Sequence, residues 1–524
     1  YSDEGLLVCD APDLQFNPLV RNDGNGGALV VWGDQRTGGS YGMYVQHLNS
    51  SGVTLTEDGR DSFFGIATDA ANEPYKHDIL YLGSDQSLVY WQDNRWGYPT
   101  IYGSILSSNY DGTSDYFSNS SINGRKLSDL EISQKSPHAI VVGSSVFLGF
   151  IVEESPNENI YLQILDHNLN QTGDAISLSS PETSKQGFDM ALGNDGSVYV
   201  AYSESFDVSL QKLTTSGGLV WSAEVASNSA DDIINAVYPL PGSGVVIIYE
   251  SQHWQTGSNI YAVAVDDGGN IMSGWPVNIS SASGDQFYEG SFSTDTGIFI
   301  TFTDNTSGST DIFGQYLTYT GTLSSGDNGT PVANTSDNEQ SSDIVYDAAQ
   351  NQALICYEIS NESDVNLHCK NIQISNQNVG NTIVLSEDIY DQKKPELSVS
   401  GNNFLVAWED SRNSGGDPGL VDIYFQKISA GNSAYTAGGI PLCTYEQKQE
   451  RPRISKYSDS DNSFIIVWED YRSTGKEYCA NLYGQSFTNC SSIGDLNGDG
   501  GWNVLDIVTL ANCILNNNCS SLEY

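Results

Sequence analysis

Near the end of the chain, six oxygen-bearing positions have the types and spacing to hold a cation. Residues 495 to 506 read Asp-Leu-Asn-Gly-Asp-Gly-Gly-Trp-Asn-Val-Leu-Asp. A calcium loop needs oxygen donors at positions 1, 3, 5, 7, 9 and 12 and a sharp turn at position 6. On that template Asp495, Asn497 and Asp499 supply side-chain oxygens, Gly501 its backbone carbonyl, and Asn503 a ligand held directly or through water. Asp506 completes the shell, and Gly500 takes the turn. Ca2+ is the one cofactor predicted.

A second constellation recurs. Asp34/Arg36, Asp93/Arg95, Asp410/Arg412 and Asp470/Arg472 each follow a Trp in a Trp-x-Asp-x-Arg segment. Paired carboxylates are the equipment of glycoside hydrolysis, but a catalytic pair is needed once. A motif repeated at the same place in several units instead predicts a loop pinned by an Asp–Arg hydrogen bond, with the Trp packed between sheets. The six histidines are scattered, with no HxH or HExxH spacing, and no GxSxG elbow or phosphate-binding glycine loop is present. No catalytic residue is assigned, and the reading leans away from an enzyme. Trp96 in DNRWGYP and Trp254 in ESQHWQTG break the repeat pattern; an exposed indole face there would stack on a sugar ring, so surface glycans are a candidate ligand.

These residues sit on a repeat. An apolar run closing in an aromatic and an acid is followed by a polar loop and a second run of the form (Asp/Asn)-Ile-Tyr-x-Gln. The copies that begin near Leu29, Leu88, Phe404 and Phe464 are the strongest. Aligning the closing aromatic gives Trp32, Trp91, Phe150, Tyr202, Tyr249, Phe302, Tyr357, Trp408 and Trp468. The 436 residues from first to last divide into eight steps of about 54, the length of a four-stranded blade with generous loops. Before each aromatic run lies a shorter segment, often introduced by Pro, as in NPLVRNDG, SPHAIVVG, KPELSVSG and RPRISKYS; after the second run comes a Gly turn and another short strand. The sequence therefore predicts an all-β fold, a single large β-propeller of about nine four-stranded blades over residues 1–489, with seven or eight blades or two smaller propellers as alternatives. The ninth copy has no fourth strand after Gln485 to Phe487, whereas Gly5-Leu6-Leu7-Val8-Cys9 resembles Gly439-Ile440-Pro441-Leu442-Cys443. The N-terminal strand is thus expected to close the ring and leave no open edge.

Bulk properties bound the partners. With 21 Lys and Arg against 66 Asp and Glu, the formal charge is −45, which excludes nucleic acid and anionic membrane surfaces as natural partners. No apolar run approaches the roughly 18 residues of a membrane span. Tyr1 reads as the start of a processed chain. Eight cysteines without paired CxxC blocks suit disulfides in an oxidising compartment; Cys356/Cys369 and Cys513/Cys519 are closely spaced and up to four bridges fit, with connectivity left open.

Residues 490–524 form a separate segment. After the calcium loop, Val504 to Leu515 carry an amphipathic helical pattern. With Asp rather than Glu at position twelve and an apolar helix following, this stretch of about 30 residues resembles the type I dockerin repeat. That family carries two such repeats; here Cys513-Ile-Leu-Asn-Asn-Asn-Cys519 is followed only by Ser-Ser-Leu-Glu-Tyr. The resemblance implies a calcium-stabilised tail that takes a protein partner or joins copies of the chain. Together these features predict a secreted or cell-surface, non-catalytic propeller for binding, adhesion or scaffold assembly. The alternative is a carbohydrate-active enzyme, a glycoside hydrolase or polysaccharide lyase, with acids such as Glu153, Glu204 or Glu250 at the blade rims.

Overall fold

The fold is taken from a computed structural model. It describes residues 5–36, 41–49, 64–67, 75–95, 97–107, 123–154, 157–179, 185–227, 230–253, 257–360, 364–417, 419–429, 431–433, 435, 437–456, 463–472 and 480–487. The loop from Asp495 to Asp506, its following segment, Trp96 and Trp254 lie outside the described residues.

Nine antiparallel sheets follow one another along the chain. Each apolar run of the repeat becomes a buried strand: Ala28–Asp34, Gly297–Asp304 and Phe464–Asp470 are buried along their whole length, and their counterparts are buried except at their ends. In every sheet this strand (B) lies between an inner strand (A) and the Tyr-x-Gln strand (C), with a short outer strand (D) beyond. Blade 1, for example, comprises Gln15–Asn22, Ala28–Asp34, Gly42–Leu48 and Phe64–Ala67. Blades 7 and 8 carry one extra short strand each, Asn378–Val379 and Asn432–Ser433. Sheets with two apolar faces must stack, and they do so in a ring.

The core consists of nine apolar clusters among the described residues, each shared by two consecutive blades. The cluster of Ile465, Val467 and Leu482 with Val8, Val20, Val30 and Trp32 joins blade 9 to blade 1. The nine closing aromatics distribute one to a cluster, and each packs against the blade that precedes it. Ring closure is supplied by Leu6–Cys9, which pairs antiparallel with Asn481–Phe487 as the fourth strand of blade 9. The expected likeness between residues 5–9 and 439–443 has a steric cause. Gly5 and Gly439 both adopt left-handed backbone (φ +69° and +72°), and a Cβ there would fall 2.6 and 2.4 Å from Trp468 and Trp408 respectively. Only glycine fits over the indole.

One sequence expectation needs correcting. Pro18, Pro137, Pro395 and Pro452 do not introduce their strands; strand A begins three residues earlier at Gln15, Gln134, Gln392 and Gln449, all fully buried. The prolines occupy a bulge, where the register with strand B shifts. Each follows a residue with left-handed φ, namely Asn17, Ser136, Lys394 and Arg451. Proline is tolerated there because the bulge has no ladder bond for it to break.

Candidate functional site

The Trp-x-Asp-x-Arg units are closed structural devices. In blade 8 the Asp410 carboxylate, wholly buried, accepts Trp408 Nε1–H at 2.9 Å, the Arg412 backbone N–H at 3.0 Å and Arg412 Nε–H at 2.9 Å. The Arg412 guanidinium lies 4.0 Å from the centre of the Tyr424 ring and donates to the Gly438 carbonyl, just ahead of the D strand. Asp34, Asp93 and Asp470 repeat the Trp and backbone bonds. One motif thus ties the B–C loop to strands B, C and D. The preceding blade contributes a small cap. Arg412 Nη2 meets Ser386 Oγ, while Arg36 and Arg472 meet the sulfurs of Cys9 and Cys443. Both cysteines are free and buried, and burial pushes their thiols up to about 12, which disfavours the thiolate. Cys356 and Cys369 form a disulfide across strands B and C of blade 7.

A second repeated carboxylate was not read from the sequence. The Glu directly after the closing aromatic accepts a bulge N–H of the next blade: Glu250 from Tyr288 (2.6 Å), Glu358 from Lys394 (3.0 Å), Glu409 from Arg451 (2.9 Å) and Glu469 from Asn17 (2.8 Å). Its signal was present as the recurring Tyr-Glu and Trp-Glu dipeptides. Burial raises the carboxyls of Glu358 and Glu469. Of the three rim acids of the enzyme alternative, Glu250 is therefore an inter-blade clip. Glu204 pairs with buried Lys185 at 3.3 Å, and Glu153 with Lys135 at 3.2 Å.

The inner wall is where the blades cease to be equivalent. In each blade one strand A residue falls at the same register level, opposite the residue before the closing aromatic, and in every blade but the fourth it directly follows the bulge. Around the ring that level reads Leu19, Asp78, His138, Asp189, Ala236, Gly290, Asp343, Glu396, Arg453. Arg453 pairs with Glu396 at 3.1 Å, Arg21 with Asp78 at 3.6 Å, and His138 Nδ1 lies 3.3 Å from Asp189. Several of these acids also stitch blades together: Asp189 accepts the Val237 N–H at 2.8 Å, and Asp343 and Glu396 accept the Leu397 and Ile454 amides. Burial raises the carboxyls of all three, opposed most strongly by His138 for Asp189 and by Arg453 for Glu396.

Charge on this wall is polarised. The inner strands hold nine of the chain's 21 Lys and Arg, all in blades 8, 9 and 1 to 4. Those of blades 5 to 7 carry none and instead hold Asp231, Asp232, Glu289, Glu339, Asp343 and Asp347, of which Asp232, Glu339 and Asp347 are buried. Two residues along the same strands from Ala236 and Gly290, Tyr238 and Tyr288 share the Ser291 hydroxyl at 2.8 and 2.7 Å.

No protein-family model and no curated sequence matches the chain. Among solved structures it is similar to an ulvan lyase, a polysaccharide lyase, at 9% identity and TM-score 0.36, covering 92% of this chain and 95% of that one. It is also similar to the dihydro-heme d1 dehydrogenase NirN (12%, TM-score 0.37, 80% and 77%) and to a prolyl endopeptidase (9%, TM-score 0.40, 77% and 55%). At such scores these likenesses bear on no chemistry of this chain. Among the described residues no helix is long and apolar enough to cross a membrane, and no cluster of three or more His, Cys, Asp or Glu is arranged to hold a metal ion.

Proposed function

We propose that the chain is a non-catalytic propeller of the cell exterior that binds or assembles partners, attached through the calcium-binding tail at 490–524. The observation that supports this reading best is the fate of the recurrent carboxylates. The Asp of each Trp-x-Asp-x-Arg unit and the Glu beside each of four closing aromatics are engaged by arginine, indole or backbone donors. An acid so engaged holds the ring together and is not poised over a substrate. A buried disulfide fits an oxidising compartment. For the tail, calorimetric titration of the full chain with Ca2+ is expected to show a site with Asp495, Asn497, Asp499, Gly501, Asn503 and Asp506 as ligands. Asp495→Ala should abolish it, and absence of heat in the wild type sinks the tail reading.

The uneven inner wall favours a second reading, a carbohydrate-active enzyme working from the channel. His138 beside Asp189, and the Tyr238–Ser291–Tyr288 network, set unlike proton carriers on that wall instead of a repeated residue. Release of new sugar ends from a panel of polysaccharides, abolished by Asp189→Asn in a variant that melts like the wild type, would replace the first reading with this one.

A further inference from the structure

Two grooves open at successive blade junctions on the face that carries the A–B and C–D turns, opposite the B–C loops. One, of about 610 Å³, runs between blades 6 and 7; the other, of about 400 Å³, lies between blades 5 and 6. They share a wall. Strand C of blade 6 and the turn that follows it lend Tyr316 and Ser324 to the first, and the same turn lends Tyr319 to the second.

The chemistry of the larger groove is that of a polyol site. Tyr346 is half-buried, its ring stacked on Phe292 at 4.4 Å and its hydroxyl donating to Asn351 at 2.9 Å. The Tyr316 hydroxyl is held between Thr294 and Thr296 at 2.7 and 2.6 Å. Both rings are therefore fixed before anything binds, which removes an ordering cost. Around them stand Asp295, Asn351, Asn376 and Gln377, carboxylate and amide groups that match vicinal hydroxyls. Charge selects among sugars. Neither groove is lined by Lys or Arg, while Asp295 edges one and Asp266 the other, Asp267 beside it being paired with Lys212. In a chain of net charge −45, a uronate or sulfated glycan would be repelled at this spot.

We infer that the paired grooves over blades 5 to 7 bind an uncharged polysaccharide, one chain running from junction to junction across the blade 6 turn. This rests on the reading of the protein as a binding propeller and names the ligand class.

The full chain, its high negative charge suiting native electrophoresis, is run in gels cast with soluble galactomannan or laminarin, and in parallel with polygalacturonate or alginate. Retardation is expected in at least one neutral gel. Asn376→Ala, on an exposed turn position, should weaken it about tenfold, the worth of one or two hydrogen bonds. Tyr346→Ala should weaken it further, and Phe206→Ala, exposed on blade 4, should not change it. The groove assignment falls if the wild type is unretarded in every neutral gel or if both groove variants run like the wild type. Retardation in acidic gels alone also overturns it, yet leaves the binding reading standing. Shortening of the polysaccharide in the gel would instead bring down the binding reading itself.

Discussion

If the Trp-x-Asp-x-Arg unit is a structural pin, its parts must be energetically coupled, and blade 8 allows a clean measurement. Asp410 is fully buried, and the Arg412 side chain is 14% exposed. Arg412→Met removes the cation but leaves the carboxylate buried with only the Trp408 indole and the residue-412 N–H as donors. Leaving a buried charge without its partner costs about 3–5 kcal/mol. Asp410→Asn keeps an acceptor for one of those donors and loses the ion pair, for about 1–3 kcal/mol. In the double variant the charges vanish together, so the combined loss should fall short of the two single losses by about 1–3 kcal/mol. At about 2.1 cal/mol/K per residue, a cooperative unit of this size has an unfolding entropy near 1 kcal/mol/K, so Arg412→Met should lower Tm by about 3–5 °C. Urea and thermal unfolding followed by tryptophan fluorescence give all four corners of the cycle. An Arg412→Met protein that melts with the wild type, or single losses that simply add, would refute the pin. So would loss of ligand binding with stability unchanged.

Three further outcomes follow from the same structure. Asp422 is pushed up to about 6, by burial and then the nearby Asp410 and Asp470 charges, against the Asn413 hydrogen bond that lowers it. A raised carboxyl costs stability only when ionised, so its penalty is absent below about pH 4, grows as pH rises toward 6 and is complete above. Asp422→Asn should raise stability at pH 8 by roughly 1–3 kcal/mol and flatten the profile between pH 4 and 7; an unchanged slope in urea melts across that range would count against it. Replacing the Cys356–Cys369 bridge, which spans 13 residues, with two alanines should cost about 3 kcal/mol, read as a shift in the urea midpoint. Gly5→Ala forces a left-handed alanine against Trp468, so the closing strand should detach more readily. The expected signs are a loss of about 2 kcal/mol and faster proteolysis near residue 10; a melt and digest identical to wild type would show that ring closure does not depend on this contact.

Much of the framework could be read from the residues alone. A fully buried strand must be a continuous apolar run, so LVVWGD and FIIVWED announced themselves, and their spacing set nine blades. Ring closure was legible because Gly5 and Gly439 serve the same indole-covering role in two blades. What could not be read was where each carboxylate ends up. Glu409 and Asp410 are adjacent in sequence, yet one clips a bulge amide 42 residues on and the other holds its own loop. Nothing local distinguishes them, because the partner of Glu409 is a backbone group that strand A offers only once the next blade is docked. The buried glutamines at the starts of the inner strands went unread for the same reason, their carbonyl partners being set by turns. The polarised inner wall and the grooves over blades 5 to 7 are likewise products of the ring. Local sequence decides which residues form strands, since burial on two faces imposes its pattern on a few consecutive side chains. Only closure into nine blades decides which residues share a wall, since that depends on a register summed around the whole circle.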